Sequence, residues 1–322
     1  MQVIQDAWQY QESAGPTVAT IGNFDGIHKG QRSVLETVTD RAAATGSRAA
    51  VVTFEPHPLT VLRPQRPLQR LTTPDQKRRL IERFGIDLLV NIEFTPEFST
   101  TPARVFVEDF LHRRLGVTEL YVGSAFGFGS RREGDLRLLQ ELGAELGFQP
   151  IGIDEVCSTG DVISSTRIRQ AIREGRVRQA ADMLGRSYAM SGRVVHGEGR
   201  GRDHGWPTIN LAPDHDLLPA DGVYASQVWI PVRQSVFGAV TNIGHRPTFP
   251  GGQDRIVETH VFDFGREVYG DRIELSFAKR LRGERRFPSV TELVEQIGKD
   301  AAAAREYLAH EDCSTLVPTL GE

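Results

Sequence analysis

Cysteine is almost missing from this chain: two residues in 322, Cys157 and Cys313, far apart and in no metal-ligand spacing. That excludes a disulfide-stapled scaffold and a cysteine-built zinc site, and a reducing cytosol is the expected compartment. Long apolar runs are lacking too. No stretch approaches the roughly 20 residues that span a bilayer, and the opening MQVIQDAWQY has no basic segment followed by an apolar one, so neither membrane insertion nor export is expected. Nor is there a basic excess. A formal net charge of -4 offers no surplus of cations to displace counterions from a nucleic-acid backbone, which argues against bulk nucleic-acid binding. No G-x-x-x-x-G-K-[ST] phosphate loop occurs, and no K-M-S-K-S-like segment. Asp263-Phe264-Gly265 has no H-R-D-type loop before it and is a chance tripeptide.

What is present divides in two. The length suits two domains, each able to bury its own core, and Gly185-Arg186 is the expected boundary, giving 1–185 and 186–322. Before it, short apolar strands alternate with helical stretches. Strands are expected over 18–21, 48–54, 86–92, 118–122 and 148–153, with helices from about Gln31 and over 74–84, 101–115, 136–146, 164–174 and 177–184. This rhythm predicts a doubly wound parallel sheet, whose ligands bind at the carboxyl ends of its strands.

Gly22 to Gly30 falls at such an end. The turn between strand and helix collects backbone N–H groups at a helix N-terminus, a ready site for phosphate oxygens. Gly22, Gly26 and Gly30 remove the Cβ atoms that would block a close anion, while His28 and Lys29 add donors. Further on, Ile163-Ser164-Ser165-Thr166-Arg167-Ile168-Arg169 opens a helix. Ser164 or Ser165 can serve as a plain N-cap, yet paired hydroxyls and arginines also suit triphosphate oxygens.

The G-x-F-D-G-x-H-x-G run and the S-S-T-x-x-R run together resemble the nucleotidyltransferase half of the bacterial bifunctional riboflavin kinase/FAD synthetases. The resemblance implies a Rossmann-like nucleotidyltransferase domain in which the two motifs bracket ATP while the FMN phosphate attacks its α-phosphorus, with Mg2+ assisting and pyrophosphate leaving. It implies a catalytic role for His28 and nucleotide contacts for Gly22, Asn23, Phe24, Asp25, Gly26, Gly30, Gln31, His57, Ser164, Ser165, Thr166 and Arg169. Three positions depart from the family pattern. Gln31 stands where a second histidine is usual, Ala125 where an Asp or Asn is, and Gly127 where relatives often have Arg. An amide for a cationic imidazole exchanges a hydrogen bond of about 1.5–3 kcal/mol for one of about 0.5–1.5, roughly one decade in rate. Three readings stay open for this half: an FMN adenylyltransferase, a degenerate or differently selective nucleotidyltransferase, and a non-catalytic nucleotide-sensing module.

After Gly185 the rhythm changes. Strands are expected over 187–195, 222–230, 236–243, 258–264 and 272–281, the last alternating Ile273, Leu275 and Phe277 with Arg272, Glu274 and Ser276. Short strands separated by glycine turns predict a small antiparallel β-barrel. A terminal helix follows from Ser289 to about His310, with a Ser289/Glu292 capping box and Leu293, Ile297 and Leu308 facing the barrel; residues after about Glu311 read as a tail. GRVVHGEGRGRDHGWPTIN, 192–210, holds five glycines able to wrap phosphates. Thr208 and Asn210 lie two apart, so on an extended chain both face one side, where they can hold a hard cation.

This stretch resembles the riboflavin kinase signature G-x-V-x-x-G-x-x-x-G-R-x-x-G-x-P-T-x-N. Further matches are Asp221-Gly222-Val223-Tyr224, Asn242-Ile243-Gly244, Arg246-Pro247-Thr248-Phe249, Glu258-Thr259-His260, Tyr269-Gly270 and Leu281-Arg282-Gly283-Glu284. The resemblance implies Mg2+ on Thr208 and Asn210, and Glu258 as the base for the 5′-hydroxyl of riboflavin. It implies ATP or flavin contacts at Gly192, Gly197, Gly201, Arg202, Gly205, Pro207, Asn242, Arg246 and Arg282. Glu258 begins a strand whose face also carries His260, Phe262 and Phe264, an apolar slot that would raise its basicity. The expected substrates are therefore riboflavin, FMN and ATP, and the products FMN, FAD, ADP and pyrophosphate.

Overall fold

The structure is a computed structural model that describes residues 1–310 except 6, 9, 11–14, 67, 125, 159, 198–200, 202–204 and 246–254. Ala125, Arg202, Arg246 and the tail after Glu311 thus lie outside the described residues. By its contacts the chain divides into two compact units, 1–68 with 74–163 and 69–73 with 164–322.

The first unit is built on a six-stranded parallel sheet. Its elements in chain order are β1 (Gln2–Ile4), β2 (Thr17–Ile21), α1 (Lys29–Thr45), β3 (Arg48–Glu55), α2 (Pro58–Leu62), α3 (Pro74–Glu82), β4 (Leu88–Glu93), α4 (Ala103–Val105), a π-helix (Phe106–Arg114), β5 (Val117–Gly123), α5 (Leu136–Leu146) and β6 (Gln149–Ile153). A two-stranded hairpin, β7 (Cys157–Ser158) and β8 (Asp161–Val162), follows. The strand order is β1-β4-β3-β2-β5-β6. The alternation of strand side chains explains the two layers. Val18, Val51 and Leu89 point to one face and bury Leu35 and Val38 of α1 with Leu80 and Ile81 of α3. Ala19, Val52 and Val90 point to the other and bury Phe106, Val107 and Phe110 of the π-helix with Leu139 and Leu142 of α5. Because the chain winds from β2 through β3 to β4 on one side and then returns to β5 and β6 on the other, the order reverses between β2 and β5. A crevice at their carboxyl ends is where sheets of this kind place ligands.

The helix expected over 101–115 differs in kind. Its last turns widen to π, a change of hydrogen-bond register that leaves the apolar stripe of Phe106, Val107, Phe110 and Leu111 buried as expected. After β3 a short helix starts at Pro58, and His57 caps it: its Nδ1 accepts from the Leu59 N–H at 3.1 Å.

In the second unit come α6 (Ser165–Arg173), α7 (Val177–Leu184), β9 (Tyr188–Val195), β10 (Ile209–Pro213), β11 (Gly222–Ile230), β12 (Ser235–His245), β13 (Arg255–Val261), β14 (Arg272–Arg282) and α8 (Val290–His310). Six strands close an antiparallel barrel in the order β10-β13-β12-β11-β14-β9. β10 was not expected; its five residues follow the glycine-rich loop directly. β13 ends at Val261, short of Phe264, because Asp263 turns the chain with φ 55°. Inside the barrel a hydroxyl ladder runs Ser226–Thr241–Thr259 at 2.6 and 3.0 Å, all three residues buried. It fixes the register of three strands. Helices α6 and α7 precede the expected boundary at Gly185 yet belong to this unit: Arg169 and Arg173 donate to the Gln69 main chain and side chain, 2.9 and 2.8 Å. α8 covers the barrel through Ala301, Ala304, Tyr307 and Leu308 against Val223, Ala225, Val240 and Phe262. Of the face expected for it, Leu308 takes part, while Leu293 and Ile297 are only half-buried.

Candidate active sites

The Gly22–Gly30 turn leaves β2 at the switch point. Its backbone is strained: Phe24 and Ile27 hold φ 47° and 44° although neither is glycine, and both side chains are buried in the core. Left-handed backbone at such residues persists only where packing over-determines it. Phe24, expected among the nucleotide contacts, anchors the turn in the core through its side chain. Asp25 and His28 are buried polar groups at 5% and 9% exposure, and Asn23 and Lys29 are exposed.

His28 is the N-cap of α1. Its Nδ1 accepts from the Gln31 N–H at 3.3 Å, and Gln31 Oε1 accepts from the His28 N–H at 3.2 Å, a reciprocal capping box. An imidazole that accepts at Nδ1 carries its proton at Nε2, so His28 presents a donor there. The Gln31 amide oxygen serves the cap, which leaves its NH2 group as the donor that could face a phosphate.

Sequence reading missed Lys77. It is 7% exposed on the apolar stripe of α3, and its ammonium lies 3.4 Å from each of the Asn23 carbonyl, Thr53 Oγ1 and the Phe54 carbonyl, and 3.5 Å from a Glu55 oxygen. Thr53 Oγ1 also donates to the Asn23 carbonyl at 3.2 Å. Together they tie the turn to the end of β3. The legible signal was a lysine at core spacing, beside Leu80 and Ile81.

In the second unit Ser164 caps α6, its Oγ accepting from the Arg167 N–H at 3.3 Å, and Thr166 is exposed. Arg169 is 6% exposed with its Nε on the Gln69 carbonyl.

The barrel assembles the other expected residues by register. Glu258 on β13 stands opposite Asn210 on β10 and opposite Asn242 on β12, so one carboxylate is flanked by two amides on neighbouring strands. Directly opposed residues have Cβ atoms about 4.5–5.5 Å apart. With Thr259 held inside by the hydroxyl ladder, the period of two turns Glu258 and His260 to the outer face. His260 Nδ1 donates to the Pro207 carbonyl at 2.8 Å and meets the Trp206 ring edge-on at 5.0 Å, which fastens the Pro207-Thr208-Ile209-Asn210 segment to β13.

Two glycines form a cradle beside the expected cation ligands. A Cβ on Gly201 would lie 3.3 Å from Thr208 Oγ1, and one on Gly197 would stand 2.7 Å from Asn210 Cγ. Asn210 is 8% exposed, and among the described residues its Oδ1 is a buried acceptor with no hydrogen-bond partner. Such an oxygen fits a hard divalent cation. No group of three His, Cys, Asp or Glu among the described residues is arranged to hold a metal, so the remaining ligands would be phosphate oxygens and water.

Several expectations change. Gly192 sits within β9, where a Cβ would come within 2.9 Å of the Leu211 side chain; its bareness serves strand packing. Arg282 is paired bidentately with Asp300 of α8, down to 2.7 Å, and holds the terminal helix. Phe262 is buried against α8 with its ring 5.8 Å from that of His260, so it stays on the expected face, whereas Phe264 lies beyond the strand in a cleft with Pro207, Thr208 and Tyr269. Gly205 takes a left-handed turn with φ 80°, before exposed Pro207.

Comparison with known proteins matches two families along the chain. Residues 10–167 match the FAD synthetase family and residues 184–308 the riboflavin kinase family. A bifunctional riboflavin kinase/FMN adenylyltransferase of Escherichia coli (strain K12) is 38% identical over 290 residues, 90% of this chain and 92% of its own length. The chain belongs to the bifunctional riboflavin kinase/FMN adenylyltransferase family. Another riboflavin kinase/FMN adenylyltransferase, from Haemophilus influenzae, is 34% identical over 307 residues, 95% of this chain and 99% of its own length. A crystal structure from Streptococcus pneumoniae, described as a macrolide-efflux protein, superimposes with TM-score 0.86 at 30% identity, covering 94% of this chain and 98% of that one. Among the described residues of this riboflavin kinase/FMN adenylyltransferase homologue, no helix is long and apolar enough to cross a membrane.

Proposed function

We propose that this chain makes both flavin nucleotides: FMN from riboflavin and ATP on the barrel, and FAD from FMN and ATP on the parallel-sheet unit. The observation that carries the reading is the Asn210–Glu258–Asn242 rung beside Gly197 and Gly201, with a buried acceptor oxygen on Asn210 itself.

In the first reaction the riboflavin 5′-hydroxyl attacks the γ-phosphorus of ATP and ADP leaves. Glu258 takes the hydroxyl proton, its carboxylate oriented by the two flanking amides. Thr208 and Asn210 would hold Mg2+, which neutralises phosphate charge when bound. The glycines at 197 and 201 let backbone approach the nucleotide, and Trp206 with His260 walls the face that Glu258 occupies.

In the second reaction an FMN phosphate oxygen attacks the α-phosphorus of ATP and pyrophosphate leaves. His28, donating from Nε2 beside the N–H groups of α1, stabilises the charge that develops on the phosphates. Half-buried Phe54, Phe94 and Phe98, whose rings meet at 5.5–6.1 Å at the carboxyl ends of β3 and β4, offer an apolar surface for a flavin ring. The match of both halves to a bifunctional family favours this reading over the degenerate and sensing ones. We place the protein in the cytosol, a setting supported by its scarce cysteines.

Two variants separate the reactions. Glu258→Gln should abolish FMN formation from riboflavin yet still make FAD from supplied FMN, and His28→Ala should do the reverse. Near-parental FMN formation by Glu258→Gln would remove Glu258 as the base.

A further inference from the structure

We propose that Arg132, supported by Arg131, is a further phosphate-binding residue of the adenylyl-transfer site, seated over Gly127, whose missing side chain leaves room for the guanidinium. The proposal rests on the adenylyltransferase reading above.

Arg131 and Arg132 are consecutive, exposed, and both left-handed, with φ 54° and 61°. Chirality disfavours that backbone for residues with a Cβ, and one such residue after another is retained only where the fold forces it; outliers of this kind gather at ligand sites. The forcing is visible. Phe128 and Gly134 exchange both backbone hydrogen bonds, 3.0 and 2.9 Å, and the Ser130 N–H donates to the Thr101 carbonyl at 2.9 Å. Glu133, the acidic side chain nearest the pair in sequence, accepts from the Ala103 N–H at 2.8 Å. Gly129 and Gly134 lie so close to Ala103 and Phe128 that a Cβ on either would come within 2.6 Å of them. The loop is a clasp that carries two exposed arginines at its turn.

Its place in the fold gives the clasp a target. It follows β5, which pairs with β2 through Thr20 and Tyr121, so the clasp and the Gly22–Gly30 turn leave adjacent strands at the switch point. The Gly127 Cβ position lies 2.8 Å from Arg132 Nε and 2.9 Å from Nη2. A guanidinium at that point offers a planar fork that matches two phosphate oxygens. The chemistry recognised is a phosphate ester or anhydride, carried by either FMN or ATP.

The test uses the full chain in two variants. Arg132→Gln removes the fork, and Gly127→Ala puts a methyl group where the guanidinium rests. Both should lower kcat/KM for FAD formation, Arg132→Gln by about tenfold, the effect of one charge-assisted hydrogen bond. A rise in KM confined to FMN assigns its phosphate, and one confined to ATP assigns the triphosphate. FMN formation from riboflavin should stay within about twofold of the parent, which reports an intact fold. FAD formation near the parental rate in both variants overturns the proposal. If the parent makes FMN but no FAD, the adenylyltransferase reading has failed instead. Calorimetric titration with inorganic pyrophosphate then decides: weaker binding by Arg132→Gln upholds the cation site, and unchanged binding overturns it.

Discussion

His28 and Gln31 hold each other at the head of α1, backbone N–H to side chain in both directions, at 3.3 and 3.2 Å. In the proposed reaction the glutamine acts through the histidine that it positions. Gln31→Ala should destabilise the protein by about 0.5–1.5 kcal/mol, the range of one cap hydrogen bond, in chemical denaturation. FAD formation should fall with it while FMN formation does not.

Lys77 occupies a buried position among three oxygen acceptors and one carboxylate. Lys77→Met keeps the stem and removes the charge, leaving the Asn23 carbonyl with Thr53 Oγ1 as its side-chain donor and taking the ammonium from the Phe54 carbonyl and the Glu55 carboxylate. The expected cost is about 2 kcal/mol in urea unfolding, with a lower kcat for FAD formation because the turn is no longer tied to β3.

Asn210 separates function from stability in the barrel. Its Oδ1 has no hydrogen-bond partner among the described residues, a buried acceptor that costs about 1–3 kcal/mol unless a ligand satisfies it. Asn210→Ala should therefore unfold no earlier than the parent in nucleotide-free buffer, yet lose most FMN formation. Chelation with EDTA should stop FMN formation in the parent, and added Mg2+ should restore it. Persistence of the reaction in EDTA would remove the cation from the account.

A pH prediction concerns Glu119. Hydrogen bonds from Arg41, at 2.7–2.9 Å, with a further one from the Tyr121 hydroxyl at 2.9 Å, hold its carboxyl below the ordinary value of 4.5. A depressed carboxyl contributes stability that is present above its unfolded pKa and is lost as pH falls through the folded one. Glu119→Gln should be less stable than the parent at neutral pH, and the two should converge as acid protonates the parent. Arg41 is about half exposed, so added salt should shrink the neutral-pH difference. Thermal melts across pH, at two salt concentrations, check both statements.

Local pattern fixed much of this fold in advance. α5 and α7 run over the expected residues because apolar spacing and a terminal glycine, Gly147 or Gly185, set their ends. β11 matches too. What escaped depends on partners distant in sequence. β1 is three residues with no alternation to read, recognisable only as an edge beside β4. β10 is hidden in the loop motif, and only pairing with β9 and β13 makes it a strand. The site was legible to the same depth. Glu258 and Asn210 were chosen from their motifs, but that they share one rung with Asn242 is a fact of register. Lys77 was missed because a buried lysine looks like a surface charge until its acceptors arrive from β3 and the Asn23 turn.

The central claim is that one chain carries riboflavin through FMN to FAD. Incubating the purified protein with riboflavin, ATP and Mg2+, and resolving the flavins chromatographically over time, tests it most directly. The account predicts FMN first and FAD after it. FMN that accumulates with no FAD would contradict the adenylyltransferase half, and riboflavin left unconverted would contradict the kinase half.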